Sequence, residues 1–258
     1  MGNYFQKSFR PDIIDGDISK VIASDASDAP FADGDILFDW HPIDIPLGTN
    51  AISDVLIHMF GEDGAAQTAC DLHLLIAKSN NGVAPTTLGE ENAAITGCFE
   101  LQDILIAVIK MEGSATGQGS VSTGFGTSWY YPYPNALGAA AIIEPEPNNL
   151  GGQTTNRIWV AGITGGAIDF STGVLKDGAE SSDSATSLTT KTVDPRKCFR
   201  PGDTVYIHDV DTAIGTIASM TATNITLNAA IAGGTNIADE DEFMNATPIK
   251  VTLGFAGR

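Results

Sequence analysis

Four histidines, His41, His58, His73 and His208, are the side chains of this 258-residue chain best suited to proton transfer or metal ligation near neutral pH. His58 and His73 fall on consecutive predicted strands and could face each other. No third ligand stands at a suitable spacing, so ordinary half-buried histidines compete with a metal pair as the reading. Cys70 is close to His73 in sequence only. Carboxylates recur in pairs, at Asp33/Asp35, at Asp209/Asp211 and through Asp239-Glu240-Asp241-Glu242. Two converging carboxylates would serve a glycoside hydrolase, and loop oxygens at 209–211 or 239–242 would serve calcium. Such pairs arise freely in an acidic chain and no EF-hand spacing is present, so solvated turns are the expectation. Gly119-Ser120-Val121-Ser122-Thr123-Gly124 lacks the spacing of a nucleophile elbow, and Gly117-Gln118-Gly119 lacks that of a dinucleotide loop. The sequence therefore predicts no catalytic, cofactor or metal site, and a protein that is not an enzyme.

Residues suited to contact are more evident. Trp129-Tyr130-Tyr131-Pro132-Tyr133-Pro134 sits in a Gly-, Ser- and Pro-rich stretch running from Gly113 to Gly152, which reads as one long loop. Tyrosine and tryptophan are enriched at protein interfaces, and their rings also stack on sugars. Interface, glycan platform and plain loop packing are all compatible with this cluster. Phe5 and Phe9 near the N-terminus, and Asp239 and Glu240 in the acidic turn, join Trp129, Tyr130, Tyr131 and Tyr133 as candidate interface residues.

Charge narrows the partners. With 32 acidic against 13 basic residues the formal net charge is −19. Phosphate backbones and anionic membranes are bound by clustered Lys and Arg, so neither nucleic acid nor membrane is an expected partner. The odd number of cysteines, Cys70, Cys98 and Cys198, does not suggest a disulfide framework. Residues 1–11 hold no apolar core of signal-peptide length, and no later apolar run reaches the roughly 18 residues of a membrane span. Use without export is the expectation.

The elements that must position these residues are short strands. Aromatics make up only 7% of the chain while small and turn-forming residues abound, which predicts a mainly β, antiparallel, jelly-roll-like sandwich. Residues 1–34 read as an extended acidic arm. Residues 35–46, 51–60, 70–78 and 104–110 read as strands, the middle two as antiparallel neighbours, and Thr87 to Ala94 reads as a short helix capped by a threonine. Pro42 and Pro46 mark an edge or a bend.

The last quarter is distinct. Pro201-Gly202-Asp203 sets up a turn in which Asp203 is expected to accept from the amides that follow it. Thr204 to His208, Gly215 to Ser219 and Ile225 to Leu227 then form short strands of a small module. Beyond Pro248, Ile249, Val251, Leu253 and Phe255 alternate on one face and need a sheet to bury it. The pattern predicts a main sandwich of 35–182 plus 246–258, with 183–245 inserted as a small β-barrel-like domain. The last strand would return to pair with Arg157–Phe170, leaving the module free to project as an outward knob.

Four stretches carry a resemblance. Asn3-Tyr4-Phe5 with Phe9-Arg10-Pro11-Asp12, then Ala29-Pro30-Phe31-Ala32-Asp33-Gly34-Asp35-Ile36-Leu37-Phe38-Asp39-Trp40, and Ala77-Lys78-Ser79-Asn80-Asn81-Gly82-Val83-Ala84-Pro85-Thr86-Thr87-Leu88-Gly89 resemble virion structural proteins of marine tailed bacteriophages, as does Pro248 to Phe255. The resemblance implies a non-enzymatic component of the particle that decorates or cements the capsid. Its partners would be the major capsid protein or other virion proteins and further copies of itself, with assembly in the host cytoplasm. A receptor- or glycan-binding spike or fibre protein is the alternative that the aromatic cluster keeps open, and a carboxylate-pair hydrolase is a third.

Overall fold

Alternating β-branched and other apolar residues turn most of the described chain into strands. The computed structural model describes residues 4–13, 31–46, 50–66, 70–79, 83–113, 120–123, 126–132, 141–143, 155–179, 185–208, 212–231 and 236–257. The first part contributes β1 (Tyr4–Phe9), β2 (Ile36–Pro46), β3 (Asn50–Met59), β4 (Asp71–Ala77), the one-turn helix α1 (Leu101–Ile104), β5 (Leu105–Met111), β6 (Ser120–Thr123), β7 (Gly126–Pro132), β8 (Ala141–Ile143) and β9 (Thr155–Gly165). A second group follows: β10 (Val174–Lys176), β11 (Ser187–Thr192), β12 (Thr204–Ile207), β13 (Thr212–Thr221), β14 (Asn224–Leu227) and β15 (Phe243–Asn245). The chain then closes with β16 (Ile249–Gly257).

Two antiparallel sheets make a sandwich. One runs β1-β16-β3-β7-β6, with β8 also on β3, and the other runs β2-β9-β4-β5. Leu37, Val55, Leu74, Ile158, Val251 and Phe255 meet between them in one core. Gly162 on β9 lies opposite Phe38 on β2, and the Phe38 ring occupies the space that a Cβ at Gly162 would need. Any larger residue there would displace a fully buried aromatic.

The returning strand departs from expectation in its partner. β16 does come back to the sandwich, but it pairs with β1 and β3, from Ile249↔Met59 to Gly257↔Asn50, and not with Arg157–Phe170. A strand has two hydrogen-bonding edges, and those of β9 are already taken by β2 and β4. β16 therefore lies in the opposite sheet, and its buried residues share one core with Ile158 and Val160 of β9. The same rule corrects the pairing of the second and third strands. β3 lies between β16 and β7 while β4 lies between β9 and β5, so the two belong to different sheets.

Residues 4–9 are not a free arm. They form the edge strand β1, with Phe5 stacked on Phe255 at 5.0 Å between centroids and Phe9 stacked on His41 at 4.3 Å. Of the remaining arm, Ile13 and Phe31 are buried, and 14–30 fall outside the described residues. The expected long loop also contains strands, since β6, β7 and β8 run through 120–123, 126–132 and 141–143.

The second group of strands forms a six-stranded sheet, β10-β11-β14-β13-β12-β15, that curls until its ends nearly meet. An isolated bridge between Leu175 and Glu242 joins the two ends, reinforced by Lys176 N donating to Asp241 O at 2.8 Å and Glu240 N to Lys176 O at 3.0 Å. Its first strand begins at Val174. Val174, Leu188, Phe199, Val205, Ile225 and Phe243 fill the interior. The fold is thus a mainly β, antiparallel sandwich carrying a barrel-like module.

That module does not project freely. β15 is a wall shared by both cores: Phe243 points into the barrel and the next residue, Met244, into the sandwich, as alternation along a strand requires. Tyr206, opposite Met244 in the β12–β15 ladder, also packs on the sandwich core.

Candidate contact surface

The outer face of the sheet β2-β9-β4-β5 needs a cover, and the segment 83–104 supplies it. Leu88, Cys98 and Ile104 drop onto Ile36, Leu75, Ala77 and Ala161 to form a second, smaller apolar layer. The segment is not the helix expected at 87–94. Gly89 at φ +144° and Asn92 at φ 55° cannot continue a right-handed helix. Its amides bond instead to β2 and to itself: Leu88 N donates to Asp39 Oδ1 at 3.1 Å, Asn92 N to Ile36 O at 2.9 Å and Gly97 N to Leu88 O at 2.7 Å.

Within this cover, Cys98 adopts φ 56°, a left-handed conformation uncommon outside glycine. The turn sends the Cys98 side chain inward and leaves Phe99 91% exposed. Both flanks of Phe99 are fixed. Leu101 N donates to Cys98 O at 3.0 Å, and Glu100 Oε1 accepts from Thr86 N at 2.9 Å, a bond that holds the Glu100 carboxyl below its usual pKa. Val83, Ile95 and Val108 are exposed within the same stretch of chain, Val108 on β5 at the end of its sheet. Single exposed aliphatic residues are ordinary on protein surfaces. A phenylalanine held almost wholly in solvent by a rigid turn is a ready contact residue, because covering it in a partner stabilises the complex by roughly 1.5–3 kcal/mol.

The sequence-predicted candidates are placed differently. Phe5 and Phe9 are half-buried against the protein's own core. Trp129, Tyr130 and Tyr131 lie on β7, in register with Ile57, Leu56 and Val55, and so belong to a strand and not to a loop. Their side chains, and Tyr133 entirely, lie outside the described residues. Asp239 Oδ1 accepts from Lys191 Nζ at 2.7 Å and from Gly178 N at 2.8 Å, while Glu240 is 3.5 Å from the same lysine. Both acids are exposed, yet they tie the ends of the barrel together.

Three other carboxylates of the predicted pairs, Asp35, Asp241 and Glu242, act as staples for backbone amides. Asp35 Oδ2 accepts from Ala32 N and Asp241 Oδ2 from Ala238 N, each at 2.6 Å, and Glu242 Oε1 accepts from Thr172 N at 2.7 Å and Gly173 N at 2.8 Å. Asp203 also differs from expectation. It accepts from the preceding Arg200 amide at 2.7 Å, from Asn245 Nδ2 at 2.9 Å and from Arg10, because Gly202 at φ +94° folds the turn back over it. His58 and His73 lie in different sheets and form no pair. Among the described residues no group of three His, Cys, Asp or Glu side chains is arranged to hold a metal, and Asp209 and Asp211 lie outside them.

Phe99 had one sequence signal. It stands between Gly97 and Glu100, outside any strand pattern, where no neighbouring alternation offers it a buried face.

Neither a comparison with protein families nor one with curated proteins finds a match. Among solved structures, a chain from the structure of infectious bursal disease virus Gx strain is similar over 99% of this chain and 40% of its own, at 10% identity and a TM-score of 0.22. A chain from the atomic structure of Sulfolobus turreted icosahedral virus is similar over 99% of this chain and 90% of its own, at 10% identity and a TM-score of 0.19. Both are virus structures. At these TM-scores the likeness carries no argument, and the chain spans 40% of the length of the first.

Proposed function

We propose that the protein is a non-enzymatic structural subunit of a virus particle, which decorates or cements a capsid through subunit contacts made by the surface around Phe99. The exposure of Phe99 on a pinned turn carries this reading. Three further features support it: the sequence phrases that resemble virion structural proteins of marine tailed bacteriophages, the two cores welded through β15, and carboxylates engaged with backbone amides. A subunit that resists mechanical load benefits from a module that cannot swing, and the shared wall of Phe243 and Met244 supplies that rigidity.

The reading is tested by adding purified protein to capsids that lack it and following binding and release of packaged DNA on heating or osmotic shock. Saturable binding and a higher release temperature are expected. Equal resistance with and without the protein would remove the cementing role, and binding to glycan arrays in place of capsids would favour a receptor-binding spike or fibre.

A further inference from the structure

Four basic side chains from four separate segments converge on one cavity of about 320 Å³ where the module meets the sandwich: Arg10 after β1, His58 on β3, Arg200 before β12 and Lys250 on β16, with Phe60 and Pro248 as apolar walls. The ladder explains the convergence. His58 and Lys250 are directly opposed in the β3–β16 register. Ile57, Met59, Ile249 and Val251 are buried in the core, so alternation turns His58 and Lys250 to the outer face.

Among the described residues no carboxylate lines this cavity, although acidic residues outnumber basic ones 32 to 13 in the chain. The charge of Arg10 is met by Asp203. Arg200 is fixed without an ion pair of its own, though the Asp203 carboxylate acts on it from nearby: its guanidinium lies over the Phe60 ring at 4.6 Å, and Nη1 donates to the carbonyl oxygens of Arg196 and Phe199, each at 2.6 Å. Among the described residues, neither Arg200 nor Lys250 forms an ion pair. Asp203 is thus shared by Arg10 and Arg200, and with Lys250 these cations leave an excess of two positive charges at one space, beside a histidine that adds another when protonated. A guanidinium fork and an ammonium are the donors that recognise a tetrahedral oxyanion, and two positive charges match a dianion.

We propose that this cavity binds a dianionic oxyanion of the phosphate class, either the free ion or a phosphate monoester whose body rests on Phe60 and Pro248. Bound there, the anion links β3 and β16 of the sandwich to the Arg200 loop of the module, at the seam that Arg10 and Asp203 already bridge.

The test titrates the full-length protein with sodium phosphate against sodium chloride at matched ionic strength, reading Tm and the His58 ring resonances. Phosphate should raise Tm in a saturable manner and move the His58 pKa upward, because a bound anion favours the protonated ring. Lys250→Gln, at an exposed position, should weaken phosphate binding at least tenfold, and His58→Gln should weaken it chiefly at low pH. Glycerol phosphate binding more tightly than inorganic phosphate would assign the carried group, and the reverse order the free ion. The proposal is overturned if phosphate acts no differently from chloride, if Lys250→Gln leaves the affinity unchanged, or if succinate binds as tightly as phosphate.

Discussion

Arg10 closes on Asp203 across the seam between sandwich and module. The Asp203 side chain is only 1% exposed, and Arg10 Nη2 reaches Asp203 Oδ2 at 3.1 Å while also donating to Thr247 O. A residue following the first strand thereby neutralises a buried carboxylate some 190 positions later, and in doing so fixes how the two units meet. The Asp203 carboxylate further accepts from the Arg200 backbone amide and the Asn245 side-chain amide, so loss of Arg10 would leave a buried charge with neutral hydrogen-bond donors and no ion pair, only the more distant Arg200 guanidinium opposing it.

Replacing Arg10 by alanine should therefore cost about 3 kcal/mol, the scale for breaking one partner of a buried pair. It should also split unfolding. Chemical denaturation followed by tryptophan fluorescence and by circular dichroism is expected to give coincident transitions in the wild type and separated ones in Arg10→Ala.

Phe99→Ser should leave Tm within about a degree of wild type, since Phe99 makes no core contact and surface changes usually stay within about 0.5 kcal/mol. Binding to capsids, measured by co-sedimentation, should fall at least tenfold. A serine at Phe5, by contrast, should lower Tm, because that ring stacks on the fully buried Phe255.

Stability should decline as the pH falls below about 6.5, partly through His58. Burial, and then the charges of Arg200, Lys250 and Arg10, lower its pKa from the usual 6.5. The unfolded chain thus takes up the proton more readily than the folded one, and the stabilisation present above pH 6.5 is lost as the pH falls through the folded value. His41, lowered by burial under Phe9, acts in the same direction. Tm measured from pH 7.5 to 5 should fall less steeply in His58→Gln than in wild type.

The three cysteines should differ in reactivity. Cys198 is 1% exposed and its thiol is pushed up to about 12, mainly by burial and then by Glu242. Cys70 is half-buried and its pKa is also raised, first by burial. Alkylation of the native protein followed by peptide mass analysis should label Cys70 first and leave Cys198 unmodified until the protein unfolds.

Strand content was legible because alternation is local. Ile249, Val251, Leu253 and Phe255 announce a strand with one buried face in any context, and the turn signals around residues 201–203 and 223–224 frame the small module. Partner choice was not legible. Nothing within β16 states that the edges of β9 are occupied, and the pairing with β1 depended on Phe5 and Phe9 supplying a face within a polar, charged segment. The helix expected at 87–94 failed for a local reason, since Gly89 and Asn92 both require left-handed backbone. The contact surface was hidden because exposure is a tertiary property. Tyr and Trp near residue 130 have interface chemistry by type, whereas Phe99 has it by position.

Cryo-electron microscopy of intact particles that carry this chain decides whether Phe99 is a capsid contact. The predicted result is density for the protein on the shell with Phe99 buried against a neighbouring subunit. Density that leaves Phe99 in open solvent, or particles in which the chain occupies no position on the shell, would contradict it.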